Sequence, residues 1–269
     1  QTPSHTSKRD AKPQEMDMTA TTALEYRDRY KDAFDNGLLT QGAFHTERDG
    51  RQLACALGVI GDGVNGAGQC PAQIMPRWLA QMVPGFFDRQ KEADAFLWGI
   101  YFTEQLARLN GKIPFIVIHD WHANTVCVLG IEAAERLGRD PAPHKALQAL
   151  HLRALAGEKI AAEEWRPVLK DAYAHAYAYA YAYANADADA YAYAYAYADA
   201  YAYANANANA YANAYAYADA DAYADAYAYA YAYAYANANA YADADAYAHA
   251  YAWKRLADGM TDALSHVEA

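Results

Sequence analysis

From Asp171 to Ala252 the chain follows a two-residue rule: every even position is Ala, and the 41 odd positions hold 23 Tyr, 9 Asp, 7 Asn and 2 His. Such a segment has two competing instructions. Strict alternation is the strand signature, with Ala on one face and the larger residues on the other. Half of the residues, however, are the best helix former and a poor strand former, and the tract contains neither Gly nor Pro. In a helix, odd positions recur at i and i+4, so Tyr stacks on Tyr along a slowly winding ridge and no single apolar face exists. Extended, 82 residues span roughly 270 Å at about 3.3 Å each; as one helix they span roughly 120 Å at about 1.5 Å each. The reading adopted is long Ala/Tyr helices folded back on each other, bending at the Asp/Asn clusters 185–189, 205–213, 219–225 and 237–245. A β-sheet or β-solenoid tail is the alternative.

The choice of odd-position residues also speaks to origin. Tyr, His, Asn and Asp share codons with A in the middle and a pyrimidine at the end, whereas Lys, Gln and Glu, which suit a helix better, are absent. An expanded six-base repeat that drifted mainly at one base accounts for this. It leaves two uses open: a tolerated scaffold, or a surface whose Tyr side chains bind.

Nine of the eleven net negative charges fall in the repeat, so the remaining body is nearly neutral. Its apolar content is about 45%, ordinary for a globular chain. An acidic chain of pI about 5.2 lacks the clustered Lys and Arg that neutralise phosphates, which argues against nucleic acid as a partner. No apolar run reaches the roughly 20 residues that span a bilayer, so a membrane is excluded as well. Residues 1–22, rich in Thr, Ser, Lys and Pro without an apolar core, read as a disordered leader. Cys55, Cys70 and Cys127 show no C-x-x-C spacing and suit a reducing, cytoplasmic setting as buried thiols.

The expected architecture is mostly α, with an irregular helical domain over 23–170, the repeat over 171–252 and an amphipathic helix over 253–269. Apolar spacing predicts a helix over Ala23–Phe34, a second over Glu92–Asn110, a third over Trp121–Leu137 and a fourth over His144–Ala156, with a new start near Ala161. Ile113–Ile118 reads as a strand or a buried turn. Three prolines, at 71, 76 and 84, cut the chain into short helical turns around Met75–Met82 and predict an irregular stretch there. At the far end Trp253, Leu256, Met260 and Leu264 recur at +3, +4 and +4, a single apolar stripe that predicts a docked closing helix.

Two motifs invite chemistry. Gly61-Asp62-Gly63-Val64-Asn65-Gly66 fits G-x-G-x-x-G, with Asp88 near the spacing of a ribose-binding carboxylate, but Gly68 and Pro71 break the helix that a pyrophosphate site requires. A surface loop is the favoured reading, and no cofactor is expected. His119-Asp120-Trp121-His122 places three ligand types, His119, Asp120 and His122, at the edge of an apolar run, a set that suits a divalent metal. Metal-dependent phosphohydrolases use such a doublet, with His45 and Asp140 as conceivable further ligands. The competing reading makes Asp120 an N-cap and Trp121 a core anchor.

The stretches Gly50–Leu57, Cys70–Ala80 and Ala156–Arg166, leading into the Ala/Tyr tract and closed by Trp253–Asp258, resemble uncharacterised phage and prophage-type bacterial proteins. The resemblance implies a small helical front with an Ala-rich, Tyr-punctuated helical tail, and brings no activity with it. The expected function is a non-enzymatic accessory role, interaction or scaffold, in which the repeat docks a protein or a second copy of itself. Tyr193, Tyr195, Tyr229, Tyr231 and Tyr233 are the candidate surface. The alternatives are a metal-dependent phosphohydrolase built on His119 and Asp120, and a fibre-forming repeat protein.

Overall fold

The computed structural model describes residues 20–136, 138–184 and 246–269. The five candidate Tyr residues and the proposed Asp/Asn bends lie outside the described residues. Within them the chain is mostly helical.

A capping box starts the first helix, α1 (Ala23–Asp35): the Thr22 hydroxyl accepts from the Glu25 N–H at 3.2 Å, and the Glu25 carboxylate accepts from the Thr21 and Thr22 N–H groups. Ala20, just before this cap, is buried. Tyr26 and Tyr30 carry α1 into the core, and Gly99 makes room for the Tyr30 ring, which a Cβ there would overlap.

Next comes a short antiparallel hairpin, β1 (His45–Arg48) and β2 (Arg51–Ala54), which the hydrophobic pattern does not announce. Its turn is Asp49-Gly50, with φ of 53° and 73°, a dipeptide suited to two consecutive left-handed residues. The glycine-rich segment that follows lies between two three-residue 3₁₀ turns, Gly58–Ile60 and Ala67–Gln69. These 3₁₀ turns stand where a dinucleotide site has the end of its strand and the start of its long helix.

The expected irregular stretch is a helix, α2 (Arg77–Asp88), with Pro84 inside it. An internal proline costs about 3 kcal/mol, but Leu79, Met82, Val83, Phe86 and Phe87 are all buried on this helix, and that burial outweighs the local penalty. The well-marked helix α3 (Glu92–Arg108) follows as expected.

Ile113–Ile118 is neither strand nor isolated turn. Helix α4 (Ile116–Trp121) starts within it, runs through a π-helical turn at His122–Val126 and continues as α5 (Cys127–Arg136). Because the helix begins four residues before Asp120, that residue is not its N-cap. Two further helices, α6 (Ala142–Leu155) and α7 (Ala162–Ala184), lead the chain into the repeat.

The closing helix, α8, spans Ala246–Ser265 and so also starts within the repeat. Trp253, Leu256, Met260 and Leu264 are buried, as their spacing predicts. α8 lies against α2, α3, α4 and the π turn. Two indoles grip its backbone: Trp98 Nε1 donates to the Ala257 carbonyl at 2.9 Å and Trp121 Nε1 to the Leu256 carbonyl at 2.8 Å. Phe86 meets both indole rings edge-on, closing an aromatic core. At the helix end Arg108, the last residue of α3, donates to the carbonyls of Leu264 and Val267 and ties the closing turn to α3. The Arg255–Glu132 ion pair lies at the side.

Candidate functional site

Helical geometry splits the sequence motif. Neighbouring residues on a helix point about 100° apart, whereas residues three apart share a face. His119 accordingly faces α6 and α7, His122 faces α6, and Asp120 points the other way, toward His266 just past the end of α8. The Asp120 carboxylate accepts from Asn124 Nδ2 at 2.6 Å and pairs with His266 Nδ1 at 2.8 Å.

On their own side, His119 and His122 meet a third imidazole that local sequence gives no means of finding, His151 of α6. His119 Nδ1 and His151 Nδ1 are 3.0 Å apart, one donating to the other. The His122 ring is stacked on His151 with centroids 4.5 Å apart and planes inclined by 16°. Trp165 of α7 covers the group, stacked on His119 and edge-on to His151. Trp121 and Phe115 supply further edges, to His122 and His119 respectively.

The environment is apolar, and the imidazoles are held neutral. Burial lowers His119 to about 4. For His122, burial and then the neighbouring His119 lower the value to about 3. Burial also drives His151 well below the ordinary histidine range, with His122 and His119 adding to it. The Nε2 of His151 is buried without a hydrogen-bond partner among the described residues. Across α4, the opposite shift occurs: the hydrogen bond to Asp120 raises His266, aided by the charges of Asp120 and Asp262.

A metal shared by His119 and Asp120, which the phosphohydrolase expectation requires, would draw at least one of these side chains away from its present partners. Among the described residues, no three or more His, Cys, Asp or Glu side chains form a group that could hold a metal ion. His45 and Asp140 are engaged elsewhere, His45 with the Val64 carbonyl at 3.1 Å and Asp140 as acceptor for the Ala142 N–H at the start of α6. The thiols are no more available for chemistry. Cys55 and Cys127 are buried, burial raises the Cys55 thiol, and burial pushes Cys70 up to about 12.

Among the described residues no helix is long and apolar enough to cross a membrane. Comparison of the chain with protein families, with curated proteins and with solved structures finds no match.

Proposed function

We propose that the protein is a non-enzymatic accessory or scaffold protein of phage or prophage type, whose helical body holds both ends of the Tyr-rich repeat and presents it for protein docking or self-association. The observation that carries this reading is the continuity of helix across both repeat boundaries. α7 runs from Ala162 in the body to Ala184 in the repeat, and α8 starts at Ala246 in the repeat before inserting Trp253 into the core. A tract merely appended to a domain needs no such return. Tyr gives large contact area at low entropy cost, and repetition extends the surface. In this reading the repeat is helical throughout and folds back between its two anchors.

Sedimentation velocity tests the proposal. The full chain is expected to associate with rising concentration, and replacing Tyr193, Tyr195, Tyr229, Tyr231 and Tyr233 by Ser is expected to weaken that association while leaving the body's circular dichroism in place. Identical sedimentation of the two chains, with no partner retained by either, counts against the reading.

A further inference from the structure

The two anchors are built differently. α8 is gripped from several sides, by two indole hydrogen bonds and by Arg108 at its end. Among the described residues, α7 packs mainly on α6, with Trp165 reaching His119 of α4. Its inserted side chains are Leu169 and Ala172, together with the partly buried Val168 and a partly buried Trp165 over the imidazoles. What else holds its first turn lies at the surface: Arg153 of α6 forks to Glu158 in the connecting loop and to Glu164 in α7, and all three are exposed. Exposed ion pairs of this kind contribute little and are screened by salt. The connection turns at Gly157, with φ of +85°, a left-handed conformation that glycine adopts without steric cost, and the space beside its Cα is open.

We infer that α7 is a releasable strap. It lifts as a unit from α6 and from His119, pivoting at Gly157, while α8 stays seated. Closed, the strap covers the His119 and His151 rings with Trp165; open, it bares them and frees the N-terminal end of the repeat. This regulates presentation of the repeat and to that extent rests on the proposed function, but the motion belongs to the body.

Hydrogen exchange on the full chain tests it. Backbone amides of Trp165–Ala172, Pro167 having none, are expected to exchange about tenfold faster, or more, than those of Ala252–Leu264. Trp165→Ala should raise exchange in α7 further and leave α8 unchanged. If that variant disturbs the fold, Arg153→Gln, which removes only the surface fork, should show the same selectivity at smaller amplitude. Equal rates in the two helices, or a variant that speeds both alike, would mean that α7 and α8 open together and would overturn the inference. A failed sedimentation test leaves this comparison intact, and equal exchange rates leave the sedimentation test intact.

Discussion

α7 and α8 do the same topological job at opposite ends of the repeat, yet one lies on the body and the other is part of its core. The difference is one of side chains. α8 brings Trp253, Leu256, Met260 and Leu264 into a cavity floored by Trp98, Trp121 and Phe86, so removing it would empty the centre of the molecule. α7 offers Leu169, Ala172 and the partly buried Val168 and Trp165, and Trp165 rests on two imidazoles, those of His119 and His151. Helices that contribute unequally to a core have unequal opening energies. A repeat held by one deep and one shallow anchor stays attached even when one end is loose.

The largest expected effect is at the deep anchor. Trp253→Ala removes a fully buried indole that also lies under the Arg89 guanidinium, 4.9 Å from its ring centroid, and should cost about 3 to 5 kcal/mol in a urea melt of the whole body. A loss confined to α8, with the rest of the body unchanged, would break the claim that this helix is core.

Acid should act next, and first at the shallow anchor. His119 and His122 have folded values near 4 and 3, below the ordinary 6.5, so their contribution to stability is complete above about pH 6.5 and is lost as pH falls toward 4. Each pH unit of displacement corresponds to about 1.4 kcal/mol, so the total for the buried His122 is of the order of several kcal/mol. Trp165 fluorescence is expected to change before α8 loses protection, and a flat stability profile from pH 7 to 4 would remove the imidazole cluster from the account.

A smaller effect sharpens the contrast from the other side. At Gly259 any Cβ would overlap the Thr125 side chain, so Gly259→Val should push α8 off the π turn and cost about 1 to 3 kcal/mol, measurable as a lowered melting midpoint. The smallest is at the edge. His266 is raised by Asp120, so its contribution is present below the ordinary value and fades as pH rises through the folded one. Since His266 is largely exposed, His266→Ala should cost well under about 1 kcal/mol at pH 6, and the same variant at pH 9 should be indistinguishable from the parent.

How much of this could be read from sequence follows from the range of each interaction. The α8 stripe was fully legible because its spacing is local and its residues are large. α1 and α3 were legible for the same reason. α2 was concealed by Pro84, a strong local signal that the burial of Phe86 and Phe87 overrides. The hairpin was signalled only by Asp49-Gly50, since His45-Thr46-Glu47-Arg48 shows no apolar alternation. At the candidate site, the spacing of His119 and His122 implies a shared face once the helix is known to begin at Ile116. Nothing near them points to His151, which arrives from another helix 32 residues away. Reading Asp120 as an N-cap failed through the same boundary error, a helix start placed too late.

The most direct test cuts the repeat itself. Between Asp171 and Ala252 the chain offers chymotrypsin many Tyr sites and trypsin no Lys or Arg. After a chymotryptic cut confined to the repeat, the fragment carrying α8 should co-elute with the body in gel filtration under native conditions, because Trp253 and its stripe hold it without a covalent link. If the fragments separate, α8 is not seated in the core and the two-anchor account is wrong.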